Sequence, residues 1–141
     1  MENMVVFNMA VAEVFGKCFL SFPVKIKIDS IEIALQIAST RPDNEILETD
    51  TPLPTEIVSA SINWLIEAGY LWSQGSTDDL EFYDVILTPK GLETLKATPE
   101  SLLKKESFGA IFAGGIKKVG AEAAIETVKM VLALGANHLS S

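Results

Sequence analysis

Thr55-Glu-Ile-Val-Ser-Ala-Ser-Ile-Asn-Trp-Leu-Ile-Glu-Ala-Gly-Tyr-Leu71, followed by Leu80-Glu-Phe-Tyr-Asp-Val-Ile-Leu-Thr-Pro-Lys-Gly-Leu-Glu-Thr-Leu95, sets the frame for the whole chain. Val58, Ile62 and Leu65 recur at helical spacing, Thr55 can cap the start, and Gly69 supplies the left-handed residue that ends a helix. Tyr70-Leu-Trp72 leads into a polar tip from Ser73 to Asp79. The chain then returns through Leu80 to Leu87, where apolar and polar residues alternate as in a half-buried strand. This pair reads as a β-hairpin. Thr88-Pro89 joins a capping hydroxyl to a proline at the first helical position, and Leu92 and Leu95 give the short helix that follows an inner face.

Upstream, residues 4–20 read as a helix with Val5, Met9, Ala12, Phe15 and Phe19 near one side. Pro23 stops it, and Val24-Lys-Ile-Lys-Ile-Asp29 alternates with the period of a short strand. Ser30 is placed to cap a second helix, through Ala38, with Ile31, Leu35 and Ile37/Ala38 facing inward. Ser39 to Leu53, rich in turn formers and acids, reads as a loop that is long for a compact domain. Downstream, Thr98-Pro99-Glu100 repeats the helix-start signal. The remainder, to about Ala136, reads as helix open to interruption near Ser107 to Gly109 or at Gly114 and Gly115.

The run Ser61-Ile-Asn-Trp-Leu-Ile-Glu-Ala-Gly-Tyr-Leu71, the acidic hairpin tip with Asp78 and Asp79, and Ile86-Leu-Thr-Pro-Lys-Gly-Leu-Glu-Thr-Leu95 together resemble the recognition helix, wing and post-wing helix of MarR-like winged-helix proteins. The resemblance covers residues 55–97. It implies a mainly α fold with a small antiparallel β-sheet: a winged helix-turn-helix over residues 1–98, followed by a C-terminal amphipathic helical extension over 99–141. DNA-reading members need Lys or Arg for phosphates and bidentate polar side chains for bases. Here the corresponding helix offers Thr55, Glu56, Ser59, Ser61, Asn63, Trp64 and Glu67 as outward positions and holds no basic residue. Asp78, Asp79, Glu81 and Asp84 follow in the hairpin. Winged helices also serve as protein-interaction modules, since function resides in the site rather than the fold.

Charge supports that division. Residues 1–100 hold 6 Lys+Arg against 16 Asp+Glu, a balance of −10, and residues 101–141 hold 5 against 3, a balance of +2, which together give the net −8. Such a surface repels a polyanion unless a local basic patch overrides the total. The apolar fraction of 48% favours self-association or a partner covering apolar surface. Cys18, the single cysteine, permits no intramolecular disulfide and no CxxC metal pair, which suits a cytoplasmic location. The N-terminal stretch lacks a basic n-region and does not read as a secretory signal, and no uninterrupted apolar run is long enough to span a bilayer.

In the C-terminal part, Lys118, Glu122, Glu126 and Lys129 form a polar stripe opposite Phe112, Ile116, Val119/Gly120, Ala123 and Met130/Leu134. Glycine costs up to about 1 kcal/mol per helical position relative to alanine, so Gly114, Gly115 and Gly120 call for a reason such as close helix approach. Three readings compete: a dimerisation helix using Phe112, Ile116, Gly120 and Ala123, an intramolecular cover for the domain, and membrane association. The mixed-sign stripe argues against the last.

Nothing points to catalysis. His138, the only histidine, stands near the C-terminus, Cys18 sits among Phe19, Leu20 and Phe22 as a buried thiol would, and no phosphate-binding glycine loop follows a strand. The sequence therefore predicts a non-enzymatic winged-helix module without metal or cofactor, regulatory or scaffolding in role. Its partner-binding residues are Ser59, Asn63, Trp64, Asp78 and Asp79, and its partner is a basic protein or a second copy. The alternative is a DNA-binding regulator using a patch of Lys17, Lys25, Lys27 and the C-terminal lysines of a dimer.

Overall fold

The computed structural model describes residues 2–40, 52–76, 80–99 and 106–139, the side chains of residues 75, 76, 138 and 139 excepted. The loop expected over Ser39 to Leu53 falls largely outside them, as do Asp78, Asp79 and the side chain of His138. The elements run α1 (Asn3–Ser21), β1 (Ile26–Asp29), α2 (Ser30–Ala38), α3 (Thr55–Glu67), β2 (Leu71–Trp72), β3 (Gly75–Ser76), β4 (Glu81–Leu87), α4 (Pro89–Lys96), α5 (Phe108–Phe112), α6 (Gly115–Val119) and α7 (Ala121–Leu139). The protein is mainly helical with a small antiparallel sheet.

Helix α1 is the axis of the fold. It is long and apolar enough to cross a membrane by length and composition, contrary to the estimate from uninterrupted apolar runs, because Asn8 and Glu13 interrupt the run without lowering its mean hydropathy below 1.5. Most of it is buried inside the protein, from Val6 through Cys18, packed against α2, α3, α5, α6 and α7. A core helix surrounded on several sides loses the one-sided pattern of a surface helix, which is why its apolar residues do not form a single stripe.

Strand β4 is central, with β1 on one side and β2 and β3, two pieces of one interrupted strand, on the other. Phe82, Val85 and Leu87 face the core. Strict alternation fails between Phe82 and Val85: Ile28 pairs with Phe82 and Ile26 with Val85, so β4 carries an extra residue there. Asp84, at φ 54°, absorbs it as a β-bulge, a backbone conformation that a short polar side chain tolerates better than a branched one.

Two helix starts differ from expectation. Asp29, not Ser30, caps α2, its carboxylate accepting the Ile31 N–H at 2.9 Å, and this turns Ser30, Ile33, Ala34 and Ile37 inward while Ile31 and Leu35 are exposed. Thr55 is the first residue of α3 rather than its cap, and Pro54 precedes it with no capping side chain.

The C-terminal region is interrupted at Gly115, one of the breaks the sequence leaves open, and again at Gly120, where the sequence pattern carries one amphipathic face straight through. Gly115 and Gly120, at φ 81° and 92°, separate α5, α6 and α7 in a conformation that side-chain-bearing residues rarely adopt. Each break resets the helical phase, so the face extrapolated through Ala123 and Met130 is exposed and α7 buries Ala124, Thr127, Val128 and Val131 instead. Close helix approach occurs elsewhere. On α1, a Cβ at Gly16 would overlap the Phe112 carbonyl, so glycine lets α5 lie against the axis helix.

Candidate functional site

The Gly-Tyr-Leu and Leu-Thr-Pro-Lys-Gly stretches meet in one corner. Thr88 Oγ1 donates to the Gly69 carbonyl and accepts the Gly91 N–H at 3.0 Å, while its own N–H donates to the Tyr70 carbonyl at 3.0 Å. Lys90 Nζ donates to the Ala68 carbonyl at 2.9 Å, capping the end of α3, and lies 4.3 Å from the Tyr70 ring centroid. A Cβ at Gly91 would overlap the Tyr70 carbonyl oxygen. Burial lowers the Lys90 pKa and raises that of Tyr70. Each identity in this corner thus has a local structural cause, joining the end of α3 to the start of α4. The motif fixes a fold element and leaves the chemistry of any partner unspecified.

The outer face of α3 is where the expected recognition residues can be compared with their positions. Ser59 and Ser61 are buried, not outward: Ser61 Oγ donates to the Ile57 carbonyl at 2.6 Å, which satisfies it inside the helix. Glu56, Ala60, Asn63, Trp64 and Glu67 are exposed. Asn63 Nδ2 donates to the Ser59 carbonyl at 3.3 Å. Trp64 is 44% exposed, its ring edge-on to Phe7 of α1 at 5.4 Å between centroids and stacked on Tyr70 at 6.4 Å. It therefore packs on the N-terminal helix and also presents surface to solvent.

Two open grooves flank this face. One, of about 540 Å³, runs between α1, α3 and α7 and is lined by Asn3, Met4, Phe7, Ile57, Trp64 and Leu132, among others. The other, of about 650 Å³, lies between α2, α3 and the start of the hairpin's return and includes Ile31, Leu53, Ser59, Asn63 and Leu80. Ala60 forms the ridge between them and lines both. Met4, Phe7 and Leu132 carry no signal in local sequence, because three elements distant along the chain bring them together.

The expected dimerisation residues are split. Phe112 and Ile116 are each 1% exposed, with Phe112 packed on Phe15 at 6.2 Å, so they belong to this chain's own core and offer no face to a second copy. Gly120 lies at the helix break and Ala123 is exposed. Glu13, a charged residue in the otherwise apolar α1, is buried, and its Oε1 accepts the Ile116 N–H at 2.8 Å, anchoring α6 to the axis helix.

For catalysis or metal binding the described residues offer little. Cys18 is buried, which pushes its thiol up to about 12 and keeps it unreactive, and no three His, Cys, Asp or Glu side chains gather as metal ligands among the described residues. Two of the three lysines expected to form a DNA-binding patch have acidic neighbours: Lys17 Nζ lies 4.0 Å from Glu32 and Lys27 Nζ lies 3.8 Å from Glu81. No protein-family model matches the chain, and no curated protein or solved structure is significantly similar to it.

Proposed function

We propose that the chain is a winged-helix module, regulatory or scaffolding and non-enzymatic, that docks a basic amphipathic protein segment on the outer face of α3. The element order α1-β1-α2-α3-hairpin-α4, with β1 paired to the returning strand β4, supports the winged-helix reading. The observation that carries the docking reading is Trp64. It stands half-exposed at the edge of an apolar groove, on a helix whose exposed charges are Glu56 and Glu67 and which contains no Lys or Arg. A polyanion binds mainly because basic side chains displace its condensed counterions into solution, and this helix has no basic side chain. An amphipathic helix can lay apolar side chains into such a groove, with tryptophan as a rigid anchor. Lysines or arginines at its margins would meet Glu56 and Glu67, which steer association and exclude acidic competitors.

A Trp72→Phe background leaves Trp64 as the sole tryptophan. Titration with a synthetic helical peptide of leucine and lysine is expected to shift Trp64 emission to the blue, saturably, and Met4→Ser is expected to weaken the effect. Duplex DNA at low salt is the opposing probe. Tight binding that weakens steeply with salt, with no response to the peptide, would overturn the proposal in favour of a DNA-binding regulator.

A further inference from the structure

At the far end of α1, about 24 Å from Met4 by helical rise, the chain turns through Leu20-Ser-Phe-Pro-Val24 with its apolar side chains outside. Leu20 is 68% exposed, Val24 65% and Phe22 36%. The turn is held by backbone bonds, Phe22 N–H to the Cys18 carbonyl and Val24 N–H to the Ser21 carbonyl, so these side chains stay outward on an ordered support. Three large apolar side chains are thus exposed within five consecutive residues, and clustered apolar exposure is what an interaction surface offers.

Its charge is opposite to that of the α3 face. Lys25 follows the turn and is exposed, and Lys17 and Lys117 share with Leu20 a groove of about 290 Å³. The stem of Lys118 lies over Gly114, which lines the same groove. Against these four lysines stand three acidic residues: Glu32, paired with Lys17, Glu106, the exposed residue ahead of α5, and Glu13. Glu13, at the floor of the groove, is engaged with the Ile116 N–H. In a chain of net charge −8, this end gathers local positive charge around exposed leucine, phenylalanine and valine.

We infer that the Leu20–Val24 turn and its surrounding lysines form a docking site for an anionic lipid surface. Leu20, Phe22 and Val24 would enter the boundary between headgroups and acyl chains while the lysines remain at headgroup level, so that the protein lies on the bilayer and does not span it. Charge complementarity argues for an anionic occupant, and the outward apolar side chains beside the lysines match the layered apolar and anionic boundary of a bilayer. A lysine near an anionic surface contributes about fivefold to partitioning, and screening confines that attraction to roughly 8 Å at physiological salt, so the acids at the other end of α1 do not cancel it. The neutral apolar groove expected for a purely hydrophobic protein contact would not need the lysines.

The test is co-sedimentation of the full chain with phosphatidylcholine vesicles, with and without about one third phosphatidylserine. Binding is expected only to the anionic vesicles, falling with salt. Leu20→Ser/Val24→Ser and Lys25→Glu/Lys117→Glu are each expected to reduce it more than about tenfold, with circular dichroism unchanged because all four side chains are exposed or line an open groove. No binding of the unaltered chain to anionic vesicles, or binding indifferent to both pairs of substitutions, overturns the inference. So does a result in which the substitutions leave vesicle binding intact and instead dissociate an oligomer seen by sedimentation, which would make the turn a protein contact.

Discussion

The two ends of α1 present apolar surface in opposite electrostatic settings. Near Met4, Phe7 and Trp64, the groove adjoins a helix face bearing Glu56 and Glu67, whereas near Leu20, Phe22 and Val24 the apolar side chains stand among lysines. Between them the helix is closed core, with Met9, Ala10, Val11, Val14 and Phe15 fully buried. The difference teaches that net charge is a poor guide to partners for a chain with polar ends of opposite character. At physiological salt each end is sensed within about a Debye length, so the −8 total governs solubility and leaves local recognition to the residues present.

The largest expected effect comes from breaking what the ends share. Gly16→Leu would force the α5 backbone away from α1 and is expected to cost about 3 kcal/mol or more, or to prevent folding, so that both ends are lost together. Chemical denaturation checks this; a variant as stable as the parent would show that α5 is not seated on α1.

A smaller and more selective change separates the ends. Glu13→Ala leaves the buried Ile116 N–H without its acceptor and is expected to cost about 1–3 kcal/mol. The loss should appear as faster hydrogen exchange across α6, near Lys117 and Lys118, with Trp64 fluorescence unchanged. Glu13→Gln, which keeps an accepting oxygen, is expected to restore most of it.

Trp64→Ala acts at the other end. It removes an edge-on contact with Phe7 and a stacked one with Tyr70, and is expected to cost about 1 kcal/mol, with unchanged exchange in α6. Equilibrium unfolding together with amide exchange separates this from a general loss of packing. Lys25→Glu, the smallest, is expected to shift stability by less than about 0.5 kcal/mol. A larger shift would mean that the lysine end is tied into the fold and is not a free surface.

Much of the architecture was legible in local signals because those signals act over a few residues. Val58, Ile62 and Leu65 are all buried as their spacing predicts, Gly69 has positive φ, and Thr88 with Pro89 opens α4 through the bond to Gly91. Errors arise where a single residue resets a phase. Asp29 takes the cap expected of Ser30 and rotates α2, and the breaks at Gly115 and Gly120 rotate α7 relative to α5. Periodicity continued across such a residue assigns the wrong face. Ser59 and Ser61 illustrate another limit, since a hydroxyl bonded to its own helix backbone can be buried at little cost, which makes polarity an uncertain guide to exposure.

The order of elements from α1 to α4, the hairpin, and the absence of base from α3 are properties of short stretches of chain, and composition and spacing are enough to read them; the corner that joins Gly69 to Thr88 and Gly91 is not, since its bonds link residues about twenty apart. The grooves beside Trp64, the hold of Glu13 on α6, and the inward burial of Phe112 and Ile116 join residues far apart in sequence. They exist only once α1 is surrounded by its neighbours, because a groove or a buried hydrogen bond is a relation between elements, and packing brings those elements to their distances.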